Sequence, residues 1–187
     1  MGSLVHRRDE RPSYSRRRRS RKKRGPDEPA DHALGCSRGG FGTKINLVCD
    51  SGAVPLGVHI AAGQRNESQF VEAALNAVHI GRARPRPERL AADKGYSYTT
   101  VRSWLRRHRI DAVIPTRDNP NESAQRRDPN FDKATYRRRN IIERCIGWMK
   151  ESRRIVTRFE KLAVNFMAMI KLAMIDRCFR MLLSDSA

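Results

Sequence analysis

The stretch Tyr136–Arg158, YRRRNIIERCIGWMKESRRIVTR, carries the strongest pattern in the chain. Read as one α-helix with about 100° of rotation per residue, it divides into two faces. One face is apolar and contains Ile142, Cys145, Ile146, Met149 and Val156, flanked by Ile141, Trp148 and Phe159. The opposite face presents one acid among basic residues and a phenol: Tyr136, Arg139, Glu143, Gly147, Lys150 and Arg154. A solvated helix usually mixes acids and bases in pairs, so this face indicates a site for phosphate.

The charge of the chain indicates a polyanionic partner. Its 187 residues are enough for one domain with a real core, and its formal net charge is +19. Neutralising phosphates and releasing their counterions is the main source of non-specific affinity for nucleic acid. We therefore expect the chain to bind nucleic acid. The alternatives are a solvating basic tail and a structural role of the ribosomal type.

The cysteine and apolar patterns indicate the cytoplasm. The four cysteines form no CxxC pair, which argues against a zinc site and against a disulfide framework. The basic N-terminus is not followed by the apolar segment of a signal peptide. The apolar C-terminal stretch is interrupted by Asn165, Lys171 and Asp176, so we expect no membrane span.

Composition divides the chain into two parts. Residues 1–30 are arginine-rich and proline-punctuated, and the run RRRRSRKKR at 16–24 predicts disorder in the free chain. This basic segment is either an arm that grasps DNA or a segment that does not belong to the fold. Residues 31–187 form the predicted domain.

Alternating apolar residues predict two strands over 39–50 and 51–63, joined by a turn at Asp50-Ser51-Gly52. Further along, the pattern predicts a helix capped by Asn66 and ending near Ile80, a strand at 89–93, a helix at 97–109, a strand at 111–115, a polar loop at 116–133 and a last helix at 161–183. This order predicts an α/β layered fold with a mixed sheet.

Two acids are candidate metal ligands. Asp93 follows a predicted strand, at the end where acids of open α/β sheets meet their ligands. Glu143 lies on the cationic helix face. Converging carboxylates that hold Mg²⁺ are what phosphoryl transfer on DNA requires. Taken singly, Asp93 is more simply a turn or helix-capping residue, and Glu143 the partner of an ion pair with Arg139.

The spacing Tyr136-x2-Arg139-x3-Glu143-x6-Lys150 resembles the Tyr-Arg-Glu-Lys signature of the DDE transposases of bacterial insertion sequences, in their type four/five group. Further similar motifs are GCSRGGFGTKI at 35–45, where Cys36 replaces a common arginine, ADKGY at 92–96 and ERCIGWMKESRR at 143–154. The resemblance covers about residues 25 to 183.

This resemblance implies an RNase H-like fold in which two aspartates and one glutamate bind two Mg²⁺ (or Mn²⁺) ions. It implies that Asp93 is the second acid and Glu143 the third. It further implies that the residues of the basic face bind DNA: Tyr136, Arg139, Lys150 and Arg154. The expected partners are the terminal inverted repeats of the element, target DNA and further copies in a transposition complex, with the protein on the nucleoid when bound.

The chain departs from the family at the first aspartate. In the family this acid lies on the first core strand, about 30 residues before GGFGTK. Asp9 stands at about that distance, but VHRRDERPS does not have the pattern of a strand, and Asp50 fits the hairpin turn. We therefore expect the first core strand to be missing, through truncation or a shifted frame. One permissible back-translation of Val5 to Ser15, read without its first base, encodes FIDGTSVRAI.

The sequence thus predicts an incomplete transposase catalytic domain with two of three acids. We expect it to bind DNA and to catalyse little or no metal-dependent cleavage or strand transfer alone. One alternative is a non-catalytic DNA-binding fragment or a regulator of the intact transposase. Another is a programmed frameshift product in which this segment is fused to an upstream reading frame.

Overall fold

The computed structural model describes residues 32–37, 40–81, 86–116 and 131–184, together with the backbone of 2–7. The chain divides into two compact units, and several strands and loops contribute to both. The first unit comprises Met1–His6, Asn46–His59 and Asn66–Ile146. The second comprises Arg7–Ile45, Ile60–Arg65 and Gly147–Ala187.

Three parallel strands form the centre of the first unit. Strand β5, Arg89–Ala92, lies between β1, Gly2–Arg7, and β6, Asp111–Val113. Leu4 pairs with Ala92, and Leu90 pairs with Ala112. The Leu-Ala-Ala run of β5 is almost fully buried, as expected for a central strand of a parallel sheet.

The prediction that the first core strand is missing is wrong. Gly2–Arg7 forms a central strand, parallel to β5 and paired on its other side with β3, Gly40–Cys49. Ladder hydrogen bonds come from the backbone, so the arginines that follow did not prevent a short Gly-Ser-Leu-Val segment from pairing. The remainder of the predicted basic segment, including Asp9 and the run 16–24, lies outside the described residues.

The predicted hairpin is confirmed. Strand β3, Gly40–Cys49, pairs with β4, Pro55–Ala62. Asp50 stabilises the turn, as predicted, because its Oδ1 accepts hydrogen bonds of 2.8 Å from the backbone N–H groups of Gly52 and Val54. In the first unit the strand order is therefore β4-β3-β1-β5-β6.

The mixed α/β fold class is also confirmed. A short strand that the sequence did not predict, β2 at Gly35–Ser37, pairs antiparallel with the start of β3 in the second unit. Three residues are too few for a pattern of alternation to be recognised.

The helices of the first unit are shorter than predicted. Asn66 does cap the first helical segment, but this segment is a 3-10 helix, Glu67–Phe70, followed by α1, Val71–Asn76. Helix α2 spans Thr99–Arg107, and its apolar residues Val101 and Leu105 are buried. His108, which follows the helix, is exposed and stacks on Trp104 with ring centroids 4.0 Å apart.

These elements enclose one core. It is built from buried residues of the strands and of α1 and α2: Val48, Val71, Ala74, Leu75, Val78, Leu90, Ala92, Tyr96, Val101, Leu105, Ile110 and Ile114. Tyr96 is the largest of its fully buried side chains. It lies in a second 3-10 helix, Lys94–Tyr96, directly after β5.

The single helix predicted over Tyr136–Arg158 is broken into three. Helices α3, Lys133–Arg137, and α4, Asn140–Met149, are separated by a tight turn, and α5, Arg153–Thr157, follows another. Both turns use backbone bonds from residue i to i−3, and the extended backbone of Ser152 ends the second one. The division of α4 into faces is confirmed, since Ile142, Cys145, Ile146 and Met149 are buried while Glu143 and Gly147 are exposed.

The second unit is organised around one buried arginine. Arg158 follows α5 with a positive φ of 43°, and its guanidinium donates hydrogen bonds to the carbonyls of His32, Ala33, Glu160 and Lys161 and to the hydroxyl of Thr43. It also lies 4.7 Å from the ring centroid of Phe166. An arginine with all these acceptors is a structural residue of this unit.

The last helix, α6 at Ala163–Ser184, agrees with the prediction in position. Phe166 and Ile170 are buried, its methionines are half-buried, and six further large apolar residues are exposed: Val164, Leu172, Ile175, Phe179, Leu182 and Leu183. Among the described helices, none has the length and apolar content needed to cross a bilayer.

Candidate catalytic site

Asp93 lies at the carboxyl end of the central strand β5, as predicted. Its side chain is half-buried, and Oδ1 accepts a hydrogen bond of 2.8 Å from the backbone N–H of Gly95, so it caps the 3-10 helix that follows. The capping role that the sequence left open is therefore real. The cap uses Oδ1, and Asp93 makes further interactions with its surroundings.

A second carboxylate lies beside Asp93. The point where a Cβ of Gly95 would stand is 2.8 Å from Oδ1 of Asp93 and 2.9 Å from Oε1 of Glu67. The two oxygens are therefore within about 6 Å of each other. Only glycine leaves this space open, since an alanine at position 95 would push on both side chains.

Glu67 is held in place by the first 3-10 helix. Its neighbour Asn66 caps that helix through Ser68 and donates a hydrogen bond of 2.9 Å from its amide to the phenol oxygen of Tyr98. This contact fixes the start of one 3-10 helix beside the end of the other. Sequence reasoning missed Glu67 because 26 positions separate it from Asp93 in the printed sequence, and no spacing rule connects them.

A buried phenol accompanies this pair of carboxylates. Burial raises the pKa of Tyr96 well above its ordinary value, and the charges of Asp93 and Glu67 raise it further. Its hydroxyl has no hydrogen-bond partner among the described residues, and neither has the hydroxyl of Ser97.

Glu143 lies on the exposed face of α4, with 47% of its side chain accessible. Its Oε1 is 3.2 Å from a guanidinium nitrogen of Arg139, one helical turn earlier. Arg139 in turn lies 5.2 Å from the ring centroid of Tyr136. The structure thus brings Tyr136, Arg139 and Glu143 of the predicted signature together. The interpretation of Glu143 as the ion-pair partner of Arg139 is confirmed.

Helix α3 is attached to the strand that delivers Asp93. Asp132 caps α3 through the backbone N–H and hydroxyl of Thr135, and these bonds, helped by Arg89, hold the pKa of Asp132 below its usual value. Arg89 lies at the start of β5 and forms two ion pairs. Its Nη1 is 3.5 Å from Oδ2 of Asp132, and its Nε is 3.8 Å from Oδ2 of Asp111 at the start of β6. The Tyr136 segment is therefore anchored to the sheet within the first unit.

The remaining predicted residues of the basic face, Lys150 and Arg154, belong to the second unit. Lys150 is half-buried in the turn after α4, and Arg154 is exposed on α5. With the helix broken before each of them, the prediction of one continuous face from Tyr136 to Arg154 is wrong as stated.

Carboxylates are the ligands that Mg²⁺ prefers, so the residues present fit a divalent ion chemically. Within the described part of the chain, no group of three or more His, Cys, Asp or Glu side chains is arranged to hold a metal. All four cysteines are free thiols. What the first unit contains is a carboxylate pair at the end of β5 and a third acid on α4.

Asp93 stands at the carboxyl end of a central parallel strand, the place where open α/β sheets bind their ligands, and Glu143 stands beside Arg139 on α4. The family model described as "Transposase DDE domain" matches residues 11–175, which is most of the chain. This protein belongs to that family of transposases. Membership implies DNA as the bound polymer, transposition as the process, and divalent metal ions as cofactors. Searches among curated proteins and among solved structures returned no significant match.

Proposed function

We propose that this chain is the catalytic part of an insertion-sequence transposase of the Tyr-Arg-Glu-Lys group. In this proposal it binds the terminal repeats of its element and target DNA, and its site is built for cleavage and strand transfer. The observation that carries the proposal is the placement of Asp93 at the end of β5, in a unit where Tyr136, Arg139 and Glu143 contact one another in series.

The strand order supports an RNase H-like fold. In the first unit β1 is central, with the β3–β4 hairpin on one side and the parallel strands β5 and β6 on the other. Carboxyl ends of parallel strands share one edge of a sheet, so the end of β1 leads to the edge that holds Asp93. This is the edge at which the first acid of the family is expected.

We propose further that the first acid is absent from β1 itself. The strand reads Gly-Ser-Leu-Val-His-Arg and contains no carboxylate. In the shifted frame FIDGTSVRAI, the aspartate falls at the position of Arg7, the last residue of β1. A single-base shift in this region would therefore leave a strand in place and remove its acid. The nucleotide sequence of the gene tests this directly, since an out-of-frame acid-bearing strand must be encoded there.

Each remaining residue has a role that its surroundings support. Asp93 and Glu143 would hold Mg²⁺ or Mn²⁺, which lowers the barrier for attack at phosphorus by neutralising charge on the reacting oxygens. Arg139 pairs with Glu143 and would offer its other N–H groups to a phosphate. Lys150 and Arg154 are proposed as further phosphate contacts, and Tyr136 orients Arg139 through its ring.

A cleavage assay with restored acid tests the proposal. The substrate is a supercoiled plasmid carrying the DNA that flanks the gene, incubated with Mn²⁺. We expect background nicking for the natural chain and clear nicking for Arg7→Asp. Arg7→Asn is the matched control, because it removes the same positive charge without supplying a carboxylate.

The combination of Arg7→Asp with Asp93→Asn is expected to return nicking to background. Strong Mn²⁺-dependent nicking by the natural chain that disappears in Asp93→Asn would contradict the incomplete site. Failure of Arg7→Asp to exceed Arg7→Asn would contradict the position assigned to the first acid.

The competing function is DNA binding without catalysis, as a regulator of an intact transposase. The net charge of +19 and the exposed arginines favour it. Such a protein would retain a salt-sensitive, sequence-indifferent affinity in Glu143→Gln and would show no gain of nicking in Arg7→Asp. A fusion with an upstream frame would appear as a longer protein with junction peptides in mass spectrometry.

Self-association in a transposition complex is part of the proposal. Leu172, Ile175, Phe179 and Leu182 of α6 are all more than half exposed. Their spacing of three, four and three residues is the pattern of a helix that packs against another of its kind. Sedimentation of the natural chain and of a Leu172→Glu, Phe179→Glu double variant tests it, and we expect the variant to remain a monomer at concentrations where the natural chain associates.

A further inference from the structure

We propose that the end of helix α2 carries a second surface for duplex DNA, on the edge of the sheet opposite to Asp93. This α2 patch comprises four arginines: Arg86, Arg106, Arg107 and Arg109. The inference takes DNA as the bound polymer from membership of the transposase family. It is independent of the roles proposed for the acids and adds a surface that the Tyr-Arg-Glu-Lys signature does not contain.

The α2 patch lies at the amino end of the parallel strands. Arg89 at the start of β5 is in register with Asp111 at the start of β6, so these two residues mark that edge. Helix α2 begins after the carboxyl end of β5, and its end leads into Asp111. A helix of nine residues is about 14 Å long. The patch is therefore separated from the edge that holds Asp93 by about the length of α2.

The charge of the patch is not neutralised by acids of the fold. The four consecutive residues from Arg106 to Arg109 are exposed. Within the described residues, no side chain forms an ion pair or hydrogen bond with the guanidinium of Arg106, Arg107 or Arg109. Asp111, the acid that follows them, pairs with Arg89 at 3.8 Å. Exposed positive charge of this kind attracts a polyanion such as the phosphate backbone.

The position of Arg109 is a second and separate observation. The helix ends with the two backbone bonds of a Schellman motif, from Arg109 N–H to the carbonyl of Arg106 and from Ile110 N–H to that of Leu105. Arg109 has a φ of 56°, the left-handed conformation in which this motif usually places glycine. A non-glycine residue there costs stability, and such outliers are often functional sites. We infer that the arginine is kept at this place for its side chain.

Arg86 is held in place beside the end of the helix. Its Nη2 donates a hydrogen bond of 2.6 Å to Oδ1 of Asn76, and its Cζ lies 5.3 Å from the ring centroid of Trp104. The same ring stacks on His108. An arginine that is already ordered loses less entropy when it binds phosphate. Because Trp104 is half-buried and makes both contacts, the patch suits the backbone of a duplex better than the stacked bases of a single strand.

The helix dipole offers the simplest competing explanation. Basic residues in the last turn of a helix, here Arg106 and Arg107, stabilise its carbonyl end without any ligand. This explanation does not extend to Arg109, since a glycine at that position would relieve the positive φ. The two explanations therefore differ in which substitutions change stability and which change the affinity for DNA.

The experiment measures binding of the whole chain to a short labelled duplex of arbitrary sequence, by fluorescence anisotropy at a series of salt concentrations. The variants are Arg86→Gln, Arg109→Gly and the double variant Arg106→Gln, Arg107→Gln. Arg180→Gln is the matched control, because Arg180 is an exposed arginine that already pairs with Asp176 at 2.8 Å. Urea denaturation of each variant measures its stability.

We expect the double variant to reduce the slope of log K against log salt concentration by about 1.8, the value for two phosphate contacts on duplex DNA. Arg86→Gln and Arg109→Gly should each reduce the slope by about 0.9. Arg109→Gly should also keep the midpoint of urea denaturation at or above that of the natural chain, because it removes the positive φ of an arginine. Arg180→Gln should leave the slope unchanged.

An unchanged slope in Arg109→Gly and in the double variant would overturn this inference. So would an equal fall in Arg180→Gln, since the affinity would then follow net charge alone. Arg139→Ala, measured in the same series, separates the inference from the proposed function. A reduced slope in Arg139→Ala with none in the patch variants leaves the signature helix as the DNA contact. The reverse result supports the α2 patch and contradicts the role proposed for Arg139.

Discussion

The two acids of the proposed site are held in opposite ways. Asp93 follows a buried strand and caps a 3-10 helix that contains the fully buried Tyr96. Glu143 stands on an exposed helix face, and the described residue that pairs with it is Arg139, one turn away. The fold therefore fixes one half of the site in advance. The other half is held by an exposed ion pair within one helical segment.

Because of this contrast, substitutions near the two acids should affect stability differently. Changes near Asp93 should alter stability as well as function, because its neighbours form the core of the first unit. Changes near Glu143 should alter function and leave stability nearly untouched, because an exposed ion pair contributes little. Stability and binding measured on the same variants can separate the two halves.

The largest expected effect on stability comes from removal of the Tyr96 side chain. Tyr96→Ala removes a fully buried ring and should lower the free energy of unfolding by about 3–5 kcal/mol, measured by urea denaturation. Tyr96→Phe is the control, because it keeps the ring and removes a hydroxyl that has no described partner. We expect Tyr96→Phe to stay within about 1 kcal/mol of the natural chain. Equal losses in both variants would mean that the hydroxyl, and not the ring, holds this region.

The next effect concerns the cap made by Asp93. Asp93→Ala removes the acceptor for the Gly95 N–H and should cost about 1 kcal/mol, whereas Asp93→Asn keeps an acceptor and should cost only a few tenths. Both changes remove the carboxylate that the metal site needs. A chain in which the two variants are equally stable would contradict the capping role.

On the opposite half, Glu143→Gln should be almost neutral for stability. It removes one exposed i, i+4 ion pair, which is worth about 0.3–0.5 kcal/mol. Denaturation of Glu143→Gln beside Asp93→Ala measures the contrast directly. A loss in Glu143→Gln as large as that in Asp93→Ala would show that the helix face is also part of the fixed half.

The smallest expected effect is on DNA binding by the basic residues. Arg139→Ala and Arg154→Ala should each reduce the slope of log K against log salt concentration by about 0.9, the value for one lost phosphate contact on duplex DNA. Lys171→Ala, an exposed lysine of α6 outside the signature, serves as the control and should leave the slope unchanged. Equal reductions in all three would indicate a diffuse basic surface without a defined DNA path.

The parts of the fold that repeat a pattern were predictable. The hairpin, the strand that delivers Asp93 and the buried face of α4 all follow from alternation or helical periodicity over several residues. Three features were not predictable for local reasons. Strand β1 is too short, and too close to a run of arginines, for its pattern to be recognised as a strand. The turns inside Tyr136–Arg158 change the backbone hydrogen bonding without changing the apolar pattern. In the sequence, Arg158 cannot be distinguished from the surface arginines around it, although its side chain is buried.

The site shows the same division. Asp93 and Glu143 are predicted from spacing and from the signature, because Asp93 follows a recognisable strand and Glu143 lies on a recognisable helix. Glu67 is found only from the structure, because its distance to Asp93 depends on how two 3-10 helices pack around Gly95. The sequence therefore predicts the candidate residues of the site, and the packing shows that Glu67 lies close to one of them.

The most direct test of the central claim is a measurement of whether one metal site includes both halves. Fe²⁺ takes the place of Mg²⁺ in oxygen sites and, with ascorbate and peroxide, cuts the polypeptide backbone next to its ligands. With DNA bound, we predict cuts close to both Asp93 and Glu143, suppressed by excess Mg²⁺ and absent in Asp93→Asn. Cuts near Asp93 that never occur near Glu143, with DNA present, would contradict the proposal that these two acids serve one site.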